Sequence, residues 1–226
     1  MTAAMWRALP GIQADLAAGM KVRVLILTGA GATFCSGADI SEIHELGDND
    51  DDTGLTVVAE HALMTFPKPV IAMIEGYCVG GGCQLALACD LRLAASGARF
   101  GVTPAKLGIV YPLSSTRRLA QIAGPATAKL PLFSAELIDA DQALRMGLVD
   151  EVCPPESLRE RVYGLAATIA GRSRLTLTAA KQIIDGRAGE TEVRAWQWEA
   201  RESGEMDEGV QAYRERRSPG FSWDAK

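Results

Sequence analysis

Two stretches of this sequence pass from a β-branched, apolar run straight into clustered glycines. They are VRVLILTGAGATFCSGAD over 22–39 and PVIAMIEGYCVGGGCQ over 69–84. Short apolar runs that end in glycine read as buried strands. Glycine lets a backbone approach a ligand closely and aim N–H groups at it. The second cluster opens an apolar helical stretch, GGCQLALACD, so its first N–H groups lack helical partners and stand at the positive end of the helix dipole. Two such loops facing each other would supply paired N–H donors, an oxyanion hole for a carbonyl oxygen that gains charge as an enolate forms. Either loop alone reads as a tight strand-to-helix turn; the two together point to a site.

The rest of the pattern sets the fold class. Residues 3–19 carry Met5, Leu9, Ile12 and Leu16 at helical spacing, with Pro10-Gly11 predicting a kink or a late start. LRLAAS reads as a third strand, and ARFGVTPAKLGIVYP reads as irregular because residues before proline are pushed toward extended geometry. From about residue 114 the chain turns helical. Strands alternating with helices, then helices alone, predict an α/β core over 1–150 and a helical C-terminal region over 151–226. The acidic stretch GDNDDDTG is expected to be a mobile flap.

Composition removes several functions. A net charge of −5 argues against a general nucleic-acid binder. Five cysteines without a C-x-x-C read as reduced, packed thiols of a cytoplasmic chain. With only two histidines, His44 and His61, and neither near a cysteine pair, no metal site is expected. No apolar run approaches the roughly 18 residues that a membrane span needs. A dinucleotide fold fits poorly, because Phe34 stands where the fingerprint GAGATF needs a third small residue.

The stretches VRVLILTGAGATFCSGADI, PVIAMIEGYCVGGGCQLALACDLRLAA, FGVTPAKLGIVYP, DADQALRMGLVDEV and DEGVQAYRERRSPGF, in that order, resemble the crotonase superfamily of enoyl-CoA hydratases and isomerases. The likeness runs from about residue 5 to 223. It implies a spiral of ββα turns, a homotrimer or hexamer, and acyl-CoA thioesters as substrates, with coenzyme A as part of the substrate and no separate cofactor. It implies oxyanion N–H groups on Ala38 and Gly81. It also implies CoA adenine contacts from the backbone around Ser36, Ala38, Asp39 and Ile40, and a place for Phe221 near the adenine held by a neighbouring subunit. Trp196 and Trp198 would flank a trimer contact.

The chain departs from that pattern in two ways. The family's usual N-terminal hairpin has no counterpart before Met1, which implies a shortened chain with a weaker hold on the CoA nucleotide. The hydratase glutamates are replaced by Gln84 and Pro104. Hydration needs a base for water and an acid for the α-carbon, and each lost group costs on the order of 10²–10⁴ in rate. Decarboxylation of a malonyl-type thioester needs no such base. A neutral Gln84 would hydrogen-bond the substrate carboxylate, and Tyr111 would orient or protonate the intermediate. In the decarboxylase branch that has this tyrosine, the position of Ala38 is a histidine; the donor is backbone N–H, so the change leaves it in place. The alternatives are a non-catalytic acyl-CoA-binding paralogue and a truncated chain that folds poorly. Ser114 and Ser115 are expected to cap a helix, Glu75 to accept from loop N–H groups, Asp90 to cap, and Lys106 and Arg117 to meet phosphates or solvent.

Overall fold

The computed structural model describes residues 1–46 and 53–223. Its strands are β1 (Leu25–Thr28), β2 (Val70–Ile74), β3 (Tyr77–Val79), β4 (Leu91–Ala95), β5 (Arg99–Gly101), β6 (Ile138–Asp139) and β7 (Glu151–Cys153). The helices of the first half are α1 (Ala3–Ala18), α2 (Leu55–Met64), α3 (Gly81–Ala88), α4 (Leu113–Ala123), α5 (Pro125–Ser134) and α6 (Ala140–Arg145). Those after β7 are α7 (Pro155–Ala170), α8 (Arg174–Ile184), α9 (Glu190–Glu202) and α10 (Glu205–Glu215). Short 3₁₀ segments cover Ile40–Leu46 and Pro104–Lys106. Most of the stretch expected to be a flap, 47–52, lies outside the described residues.

One sheet is wholly parallel, in the order β1-β2-β4-β7, and the second is β3-β5-β6 with β5 and β6 antiparallel. β2 lies inside the first sheet and every residue of it is buried. Its period-2 alternation divides it between two cores. Val70, Ala72 and Ile74 face the larger core, while Ile71 and Met73 face a smaller one with Leu93, Leu158 and Val162. A strand buried on both faces has no reason to alternate polar and apolar residues, which is why PVIAMI reads as one continuous apolar run. β1 is shorter than its apolar run and only half-buried. Its pairing begins at Leu25 opposite Val70, directly after Pro69.

Some local expectations change. α1 is a continuous 16-residue helix that runs through Pro10, opened by Thr2, whose Oγ1 accepts from Met5 N. Its buried face is Ala3, Trp6 and Gln13, whereas Met5 and Ile12 are each 52% exposed. The irregular 98–112 segment contains β5, paired in parallel with β3. Leu148 is buried and Met146 packs against the larger core.

Two polar ties hold the layers together. Asp90 Oδ2 accepts from Val70 N at 2.7 Å and from Lys181 Nζ at 2.8 Å, so it joins β2 to α8 rather than capping a helix. Asp150 accepts from Arg92 N at 2.7 Å and pairs with its guanidinium at 2.9 Å. β7 pairs with β4, and α7 packs on β2 and β4, so α7 shares the smaller core with the sheet. Asp90→Ala leaves the mostly buried Lys181 ammonium without its carboxylate and is expected to cost about 3 kcal/mol, read as a lower denaturant midpoint at unchanged m-value.

Candidate active site

The two glycine loops meet. Cys35 N donates to Tyr77 O at 2.8 Å, Val79 N donates to Cys35 O at 2.9 Å, and Phe34 N donates to Glu75 O at 2.8 Å. Glu75 therefore does accept from the first loop, through its backbone carbonyl. The approach is so close that a Cβ on Gly82 would collide with the Cys35 carbonyl oxygen. Gly37, at φ +108, takes a left-handed conformation that a side chain would strain.

This docking brings the amides of Ala38 and Gly81 to the same place. A Cβ built on Gly81 would lie 3.7 Å from Ala38 N and 2.6 Å from the Trp6 ring. Trp6 is fully buried and seals the floor behind the loop. Gly81 is the first residue of α3, and neither its N–H nor that of Ala38 donates to a protein acceptor among the described residues. Both residues line a cleft of about 570 Å³.

The same cleft is lined by Gln84, Pro104 and Tyr111, and by Ser36 and Ile40. Asp39 does not line it: its Oδ1 accepts from Ser41 N and Oγ, and its N–H donates to Met1 O. Phe221 lies against Gly209 in a separate groove along α10. Among the described lining residues Lys106 is the only charged side chain, and it is exposed. No carboxylate reaches this wall among them. The described residues hold no cluster of three or more His, Cys, Asp or Glu able to bind a metal.

Tyr111 Oη donates to Gly80 O at 3.3 Å. Burial pushes its phenol well above 10, with Cys83, Glu60 and Cys78 adding in the same direction. The five thiols are free and buried, and burial holds Cys89 up at about 12. They are packing groups rather than nucleophiles.

The sequence reading passed over Glu60. This residue of α2 is 1% exposed, and its Oε2 accepts from three side chains: Gln84 Nε2 at 3.0 Å, Ser114 Oγ at 2.9 Å and Ser115 Oγ at 2.8 Å. Its Oε1 is buried with no hydrogen-bond partner. Ser114 and Ser115 are thus carboxylate donors inside the first turn of α4, not caps; Pro112 occupies the N-cap position. The expected hydrogen bond from Gln84 to a substrate carboxylate has a competitor, since one amide N–H already goes to Glu60. The signal was present in LTVVAEHALM, where a lone acid interrupts an apolar helix; burial of such a group requires polar partners.

Comparison with known proteins gives a consistent result. A family model described as enoyl-CoA hydratase/isomerase matches residues 2–224. A crotonyl-CoA hydratase of Syntrophomonas wolfei is 36% identical over 210 residues, covering 88% of this chain and 80% of that protein. A solved enoyl-CoA hydratase/isomerase family member superposes with a TM-score of 0.92 at 34% identity, over 100% of this chain and 89% of the other. An enoyl-CoA hydratase/carnithine racemase from Magnetospirillum magneticum gives 0.91 at 31% identity, over 99% and 87%.

Two outcomes test this geometry. Gly81→Ala pushes a methyl group into the Trp6 ring and is expected to lower stability by about 1–3 kcal/mol, seen as a lower melting temperature that Trp6→Leu partly restores. Tyr111, with its folded value raised, favours the fold fully below pH 10, and that contribution falls away as pH rises through 10 and beyond. The difference in phenolate absorbance between wild type and Tyr111→Phe should therefore be absent at pH 10 and appear only at higher pH or on unfolding.

Proposed function

The chain belongs to the enoyl-CoA hydratase/isomerase family, and within it we propose an enzyme that stabilises the enolate of an acyl-CoA thioester without a carboxylate pair. The observation that carries this reading is a cleft in which two unpaired backbone amides, on Ala38 and Gly81, face a described wall free of carboxylates. The thioester oxygen sits between the two N–H groups, which oppose charge as it develops there. Lys106, at the rim, suits a phosphate of coenzyme A.

The reaction proposed is decarboxylation of a malonyl-type thioester. The bond from the α-carbon to the carboxylate breaks, carbon dioxide leaves, and the electron pair moves to the thioester oxygen as the enolate. A proton then closes the α-carbon. No group of the protein has to abstract a proton to begin. Hydration, the activity in the name of the Syntrophomonas relative, needs an acid and a base, and Gln84 and Pro104 supply neither at the wall they form. Tyr111 remains a neutral phenol beside Gly80 and can orient the acyl group.

Association into a homotrimer or hexamer is part of this proposal. Ile184, Trp198, Val210 and Tyr213 are 83%, 59%, 46% and 86% exposed on α8, α9 and α10, an apolar surface suited to a second copy.

The test is a pair of assays on the purified chain, crotonyl-CoA hydration and methylmalonyl-CoA decarboxylation, with CoA-thioester binding measured alongside. Decarboxylation without hydration is expected, and Gln84→Glu combined with Pro104→Glu should shift activity toward hydration, by on the order of 10² or more. Robust hydration by the unaltered chain would overturn the reading. Binding without either activity would favour the non-catalytic acyl-CoA-binding paralogue.

A further inference from the structure

Gln84 is the polar side chain nearest the start of α3, and its amide can face the cleft in two ways. With the nitrogen outward it offers a donor; with the oxygen outward it offers an acceptor. Glu60 decides between them. Gln84 Nε2 donates to Glu60 Oε2, the oxygen on which Ser114 and Ser115 also converge. An amide oxygen turned toward that point would face an acceptor already taken by two hydroxyl donors. Gln84 is 2% exposed and lines the cleft, and its Oε1 accepts no hydrogen bond among the described residues. Thr56, one helical turn before Glu60, lines the cleft as well, so α2 lies directly behind this wall.

We propose that Glu60 is the positioning residue of this site, locking the Gln84 amide with its nitrogen inward so that Oε1 holds, in the cleft, the hydrogen-bond donor that returns a proton to the enolate. This rests on the enolate reading above. The donor is a water molecule. One of its hydrogens goes to Gln84 Oε1, and the other is directed at the α-carbon. On transfer the water O–H bond breaks, a C–H bond forms with the enolate electron pair, and the hydroxide left behind is neutralised by solvent protons or captured by the released carbon dioxide. This orientation places the substrate carboxylate elsewhere in the cleft, because an outward Oε1 is an acceptor and offers that carboxylate no hydrogen.

The lock has two readouts, and the first needs no substrate. In proton–nitrogen NMR spectra of the full-length protein, the Gln84 side-chain amide is identified by its loss in Gln84→Met. Its protons are expected to exchange with solvent at least about tenfold more slowly than those of exposed glutamines, and Glu60→Gln should remove that protection. Exchange as fast as that of exposed glutamines in the unaltered protein would overturn the proposal, whatever the substrate. The second readout is methylmalonyl-CoA turnover in D2O. Glu60→Gln should lower kcat by about 100-fold, leave KM within about twofold, and turn a single configuration of deuterium at the α-carbon of the propionyl product into a mixture. Unchanged kcat and configuration in Glu60→Gln would overturn the proposal. A fall in kcat that follows lost thermal stability, with the configuration intact, would overturn it too, since Glu60 would then be structural. Ser115→Ala, which removes one donor and keeps Glu60, serves as the variant that should fold and show a partial effect. If the unaltered protein shows no turnover, the decarboxylation reading fails by itself, and the amide-exchange result alone decides the lock.

Discussion

The structure depends on the contact between two loops that are distant in sequence. Cys35 exchanges backbone hydrogen bonds with Tyr77 and Val79, and this short bridge brings the loop after β1 against the loop that opens α3. The bridge is possible because Gly82 has no side chain where the Cys35 carbonyl passes. Once the loops are docked, two amides whose N–H groups make no helix or sheet hydrogen bond are left at one cleft. Unpaired backbone N–H groups are costly to bury, and these two are spared that cost by the cleft that both residues line; the proposed enolate chemistry rests on that pair.

The scaffold behind that contact is stiff for identifiable reasons. β2 is buried on both faces and carries apolar side chains to two cores. Each fully buried aliphatic residue there contributes about 1.5–3 kcal/mol. Asp90 and Asp150 each take a backbone N–H and a mostly buried cation, Asp90 tying β2 to α8 and Asp150 tying β4 to the start of β7. Trp6, carried by α1, closes the floor under Gly81. The first helix thus supports the site even though no residue of it lines the cleft.

The wall has Gln84 and Pro104 where the resemblance placed the hydratase glutamates, and a carboxyl group stands one layer back, at Glu60, hydrogen-bonded to Gln84. A carboxylate at the wall can take a proton from water; one behind an amide can only orient that amide. This difference separates acid–base chemistry from positioning. The partnerless Oε1 of Glu60 carries a desolvation cost of about 1–3 kcal/mol, which the fold sustains at this one buried acid beside the cleft.

Much of this was legible in the residues. The β-branched runs ending in glycine, the helix opening on Gly80–Gly82 and the replacement of the expected glutamates at Gln84 and Pro104 are local facts, and local facts are set by backbone freedom and apolar pattern. Ala38, Gly81, Gln84 and Tyr111 do share one cleft. Asp39 and Phe221 lie outside this cleft, Asp39 hydrogen-bonded to Ser41 and Met1 and Phe221 against Gly209 of α10; Phe221 was expected beside a neighbouring subunit's adenine, and a single chain does not test that. The rotation of α1 that buries Trp6 instead of Met5, and the meeting of Glu60 with Gln84, Ser114 and Ser115, were decided by tertiary structure. Those four polar residues come from α2, α3 and α4, and Glu60 lies 24 to 55 positions from its three donors. A sequence displays spacing along one element, whereas a hydrogen-bond network across three elements exists only once their packing has excluded water from it.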